Sequence, residues 1–164
     1  MSQQVKGPFD VKRTAMDSID AGGDAAFARI RFEKRFHGEL DATSVVEMLS
    51  AGNPASGSAG YVAVEHLVGT LQGRKGRFMM QHSGVMDRGR ASLTLTVVPD
   101  SGTDELAGLR GRMQIDIAEG GAHFYTFDYT LDSPAQIPAD SDRDRPTDAG
   151  AWATCGNKGV GGDR

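Results

Sequence analysis

At 164 residues the chain is the size of one ordinary domain, and its 38% of apolar residues is enough to build a core. A formal net charge of −4 argues against a nucleic-acid partner, because phosphate binding needs a clustered positive surface. The apolar runs, a few residues long, fall far short of the roughly 20 that a membrane-spanning helix requires, so no membrane role is expected. No apolar signal segment is visible in the opening stretch. Cys155 is the only cysteine, which leaves no partner for an internal disulfide, and the expected compartment is the cytoplasm.

Taken in chain order, the dominant hydrophobic period is two. Within residues 27–37, Ala28, Ile30, Phe32 and Phe36 share one face, while Phe27, Arg29, Arg31, Glu33, Arg35 and His37 share the other, the pattern of a half-buried strand. Comparable stretches occur at 5–13, 38–49, 59–69, 77–82, 91–98, 112–118 and 123–131, which predicts about eight strands. Between them lie turn-forming residues: Gly22-Gly23, Gly52-Asn53-Pro54, Gly73 to Gly76, Asp87 to Gly89, Pro99 to Gly102, and Gly120-Gly121. These connections are too short for crossover helices, so neighbouring strands are expected to pair antiparallel in a barrel or a sandwich. Short helical turns are also expected near 44–49 and 103–109. The domain boundary falls at Leu131: residues 1–131 carry the alternation. Residues 132–164, rich in Asp, Pro, Ala and Gly, read as a flexible polar tail containing Trp152 and Cys155.

Three segments carry a family likeness: 58–84 (SAGYVAVEHLVGTLQGRKGRFMMQHSG), 97–113 (VVPDSGTDELAGLRGRM) and 123–131 (HFYTFDYTL). In the first, Tyr61, Glu65, Gly69, Gly73, Arg74, Gly76, Phe78, Gln81, His82 and Gly84 form the pattern. With the N-terminal strand, the chain over roughly residues 5–131 resembles the bacterial domain-of-unknown-function family 3224. That resemblance implies an allene-oxide-cyclase-like, calycin-like fold: an all-β, eight-stranded antiparallel closed barrel with an interior cavity. It implies no particular activity, and nothing carries over to the tail.

Familiar catalytic motifs are missing. Residues 52–58 have glycines at P-loop spacing without the lysine that reaches phosphate. Ser58 has Ser56 where a nucleophile elbow needs glycine. His37, His66, His82 and His123 show no His-x-His spacing, and the adjacent Glu65 and His66 must point to opposite faces of a strand. No metal site and no cofactor are therefore expected.

The more suggestive set is organic. His123, Tyr125, Phe127, Tyr129 and Leu131 share one face of the last strand; Tyr61, Ala63, Glu65 and Leu67 share one face of the fourth; Phe78, Met80 and His82 share one face of the fifth, with Gln81 on the other. Alternation alone leaves the inward face of the fourth strand open, since Val62, Val64 and Val68 are equally buryable; the resemblance, which carries the glutamate, favours Glu65 inward. Glu65 and His82 are then the candidate catalytic pair. Tyr61, Gln81, His123, Tyr125, Tyr129 and Phe78 are candidate ligand-binding residues in a cavity for one small apolar or polyketide-like molecule. A carboxylate desolvated there has its pKa raised, which suits acid–base work near neutral pH.

The expected function is a cofactor-free isomerase or cyclase using general acid–base catalysis, the alternative being a non-catalytic barrel that binds a small hydrophobic ligand. A third reading is an assembly protein whose outer strands pair with copies of itself. A hairpin centred near 72–74 puts Glu65 about opposite Gln81, one position from His82, so register decides which of the two shares its face.

Overall fold

In the computed structural model, which describes residues 1–20 and 26–132, eight strands close into one barrel in simple chain order. They are β1 (Gln3–Asp20), β2 (Ala26–Phe36), β3 (Leu40–Asn53), β4 (Ser58–Leu71), β5 (Arg74–Asp87), β6 (Arg90–Val97), β7 (Leu109–Ile117) and β8 (His123–Leu131). Every neighbouring pair is antiparallel, and β8 returns to β1 to close the ring. Closure joins the two edges of the sheet, the physical advantage of a barrel over an open sheet, although β1 beyond Phe9 pairs with β2 alone. The Gly22-Gly23 turn and the tail after Asp132 lie outside the described residues.

The strands run longer than alternation suggests. In β1, Lys12 to Ser18 are exposed on both faces, so their pairing with β2 leaves no hydrophobic period to read, and the register shifts between Ala15 and Asp17. The helical turn expected at 44–49 is instead the middle of β3, bonded to β2 on one side and β4 on the other; the β-branched Val45 and Val46 suit that environment. The turn expected at 103–109 shrinks to a 3-10 turn, Asp104–Leu106.

One half of the barrel interior is filled. Phe36, Leu40, Leu67, Leu71, Phe78, Met80, Leu95, Leu109 and Phe127 are fully or almost fully buried there. Phe78 stacks on Phe127 at 5.9 Å between ring centroids, and Phe127 on Tyr129 at 5.3 Å. The end of this half is sealed by the connection from β6 to β7. The first half of β5 lies beyond the reach of β6, whose pairing begins at Met80↔Val97, and bonds to the connection instead. Thr103 N–H donates to Arg77 O at 2.9 Å, Lys75 N–H to the Glu105 carboxylate at 2.8 Å, and Met79 N–H to Ser101 Oγ at 3.0 Å. Leu106, 1% exposed, is the apolar stopper. Replacing it with alanine, Leu106→Ala, should lower stability by about 2–5 kcal/mol through the cavity it leaves. Urea unfolding measures this, and a change under about 0.5 kcal/mol would show that the connection does not seal the barrel.

Candidate functional site

The hairpin between β4 and β5 sets the site. Its turn is Gln72-Gly73, both with positive φ (48° and 79°), the two-residue form whose twist matches that of the strands. Leu71 therefore pairs with Arg74, Glu65 with Met80, and Ala63 with His82. Glu65 and His82 consequently share the inner face, two positions apart on the diagonal. Gln81 pairs with Val64 on the outer face and is exposed. Gln81 thus leaves the candidate ligand-binding set: it faces away from the barrel interior.

Glu65 is wholly buried, 0% exposed, and is met from three sides. Lys34 Nζ on β2 donates to Oε2 at 2.8 Å. Ser44 on β3 donates its hydroxyl to Oε1. His82 Nε2 on β5 stands 2.9 Å from Oε2. Nε2 makes no hydrogen bond of good geometry among the described residues, but it stands close enough to Oε2 to favour the ionised carboxyl. Four consecutive strands thus each contribute one polar side chain to one inward cluster.

Burial alone would push the Glu65 carboxyl up; the His82 imidazole beside it and the Lys34 ammonium outweigh burial and hold it down at about 2. This corrects the expectation of a raised pKa. Glu65 is a fixed anion at neutral pH, with Lys34 as its counter-charge.

Above the cluster the barrel is hollow. A cavity of about 320 Å³ is lined by apolar side chains, among them Phe9, Val11, Met48 and Ile115, and by the polar groups Lys34, Tyr61, His82 and His123. That is near the small end for small-molecule sites. Tyr61 leans over Gly84, where a Cβ would run into its ring. Burial and then the Glu65 charge push its hydroxyl above the ordinary value, so it stays protonated. His123 packs its ring 5.2 Å from Phe9.

The candidates therefore divide. Tyr61, His82 and His123 line the cavity, and Glu65 stands behind Lys34 and His82. Phe78, Tyr125 and Tyr129 belong to the filled half. The Tyr125 hydroxyl is spent on backbone, donating to His37 O at 2.9 Å and accepting from Leu40 N–H at 3.2 Å. Tyr129 is held between the side chains of Gln3 and Gln72. These three are core residues, apart from the cavity lining.

Two members of the cluster escaped the reading of the sequence. Lys34 has the parity of Ile30, Phe32 and Phe36, a lone cation on an apolar face, but it sits in the run Arg31 to Arg35 and reads as one more surface charge. Ser44 offers no signal beyond its parity with Ala42 and Val46. Among the described residues no group of three His, Cys, Asp or Glu side chains is arranged to hold a metal, and no helix is long and apolar enough to cross a membrane.

The family described as "Protein of unknown function (DUF3224)" fits residues 5–129, the whole barrel apart from its first and last few residues. The chain belongs to the DUF3224 family. A DUF3224 protein of unknown function from Shewanella oneidensis MR-1, known as a crystal structure, is 46% identical; the match covers 81% of this chain and 100% of that one, with a TM-score of 0.75. No curated protein matches. DUF3224 membership thus accords with the barrel and brings no activity with it.

Two measurements test the cluster. Lys34→Met should cost about 3–5 kcal/mol, because it strips the main counter-charge from a buried carboxylate, whereas Lys34→Met combined with Glu65→Leu should recover most of that loss. Equal stabilities for the single and double variants in urea would refute the pairing. The folded carboxyl ionises at about 2 and the unfolded one near 4.5. The stability it contributes is therefore full above about pH 4.5 and is lost as pH falls towards 2, by roughly 3 kcal/mol. In the double variant that part of the acid destabilisation should vanish; an unaltered acid limb would show that Glu65 is not its source.

Proposed function

We propose that this barrel is a cofactor-free isomerase or cyclase that moves protons on a small, largely apolar molecule held in the cavity. The observation that carries the reading is the contact of a buried, ionised Glu65 with a histidine in the cavity wall. A carboxylate beside Nε2 favours the tautomer protonated there and leaves Nδ1 as the basic nitrogen. It also stabilises the imidazolium formed when His82 takes a proton, the role of a carboxylate behind a catalytic histidine. His82 is therefore the acid–base group, and Glu65, expected as its partner in proton exchange, becomes the residue that positions it. Tyr61 and His123 orient an oxygen of the substrate. The apolar wall excludes water and fixes the reacting carbon.

A second reading, a binding barrel without catalysis, is favoured by how apolar the lining is: a binder needs a sleeve and one orienting group. In either case we place the protein in the cytoplasm, since a lone cysteine offers no disulfide. Self-association is favoured by the exposed Val62, Val64, Val68 and Val85 on the outer face of β4 and β5.

Native mass spectrometry of the purified protein, followed by extraction, should identify the small molecule it carries, and turnover of that molecule should survive metal chelation. His82→Ala should then lower kcat by about 10²–10⁴, and Glu65→Gln should lower kcat with KM little altered. Turnover unchanged by both substitutions would remove the acid–base reading and leave the binding barrel. Loss of turnover on chelation, restored by a metal, would overturn the cofactor-free assignment.

A further inference from the structure

Lys34 is the group in the cavity wall that acid–base chemistry at His82 leaves unused. It is 8% exposed, lies against the cavity, and among the described residues donates one hydrogen bond, to Glu65. An ammonium has three N–H groups, so two remain. The rings of Phe9 and Phe36 flank Nζ at 5.4 and 5.7 Å from their centroids. Their faces partly compensate a cation, but they offer no oxygen acceptor. A buried cation with free donors beside an apolar cavity is arranged to receive an oxygen.

The charges narrow which oxygen. On the acid–base reading His82 stands ready as a base; Lys34 and Glu65 then balance one another, which suits a neutral ligand, whereas a permanent anion would be desolvated close to Glu65. Once His82 takes a proton from the ligand, the cluster carries one positive charge and the ligand one negative, so the cavity remains neutral throughout. Lys34 then stabilises the negative oxygen as it forms, in a site of low polarity where such an interaction is strong.

Resting on the acid–base reading, we propose that Lys34 is an oxyanion-stabilising catalytic residue and that the substrates are small enolisable carbonyl compounds, aromatic or alicyclic ketones of a size to fill the cavity. His82 Nδ1 takes the proton α to the carbonyl. The C–H electron pair becomes the enolate C=C bond, and the carbonyl π pair moves onto the oxygen held by Lys34. In an isomerisation, the imidazolium returns the same proton to another carbon of the conjugated system and the carbonyl reforms. In a cyclisation, the enolate carbon attacks a second carbonyl of the same molecule and the imidazolium protonates the new alkoxide. No oxidant, reductant or co-reactant is consumed.

Probes of one shape and different charge test this. 4-Nitrophenol ionises to an anion that absorbs in the visible, whereas nitrobenzene, of similar size, cannot ionise. The wild-type protein should bind both, and bound nitrophenol should ionise at least one pH unit below the free compound as its proton passes to His82, a tenfold gain for the phenolate–imidazolium pair. Leu93→Trp, at the cavity mouth, should block both probes. The Lys34→Met, Glu65→Leu double variant should still bind nitrobenzene through the apolar wall and lose the ionisation shift. If that variant does not fold, the wild-type comparison decides alone. Nitrophenol bound without a shift overturns the oxyanion role and leaves the cavity standing. Neither probe binding, or both binding undisturbed by Leu93→Trp, overturns the cavity reading together with this one.

Discussion

A single buried carboxylate constrains this barrel more than any other group. Glu65 has no exposed surface, and an ionised carboxyl in such a place is tolerated only if every side of it is met. Meeting it takes Lys34, Ser44 and His82 from three other strands. Those three converge only if β2, β3, β4 and β5 hold one register relative to one another. A slip of one residue between β4 and β5 would bring Gln81 inward and carry His82 to the surface. The two-residue turn at Gln72-Gly73 is therefore as much a part of the site as the side chains that compose it.

Such a cluster is a poor route to stability. A well-packed apolar set of the same volume is commonly as stable as a buried ion pair, or more so by about 1–4 kcal/mol. The filled half of the barrel makes the comparison within one molecule: Phe78, Phe127, Leu67 and Leu71 occupy it without a charge among them. The polar residues gather where the core stops and the cavity begins. That position gives Lys34 and His82 each one side anchored to Glu65 and one side turned to open space, which a purely structural ion pair does not require.

The sequence carries the strand pattern clearly because alternation is a direct image of one buried and one solvated face. It carries less where both faces are wet, as in β1 from Lys12 to Ser18, or where the outer face is itself apolar. Val62, Val64 and Val68 made the two faces of β4 equivalent by pattern, and family likeness separated them; the barrel buries Ala63, Glu65 and Leu67. Parity and a short hairpin left Glu65 between Gln81 and His82, with the family likeness favouring His82; the turn at Gln72-Gly73 sets the register that brings His82 inward. The carboxyl's ionisation was not legible, since its direction depends on Lys34, concealed in a run of surface charges, and on Ser44, which carries no pattern. Burial read without the counter-charge points the wrong way. Tyr125 and Tyr129 shared parity with His123 and entered the candidate set for that reason; parity reports a face, whereas height along the barrel decides between core and cavity.

The wall of the barrel is unequal in a way that matches this division. β2 to β5, which hold the whole polar cluster, are paired along nearly their full lengths. β6 and β7 meet only at Leu95↔Met113 and Thr96↔Arg112. Beyond those pairs, towards the open end, Leu93 and Ile117 line the cavity and are 42% and 66% exposed. Side chains that must be positioned to fractions of an ångström belong on the firmly paired strands. Few ladder bonds and exposed apolar side chains are the marks of the part of a fold that opens at least cost. On the proposed reading, positioning and access fall to different walls of one closed sheet, and a ligand would pass the β6–β7 side without disturbing the register on which Glu65 depends.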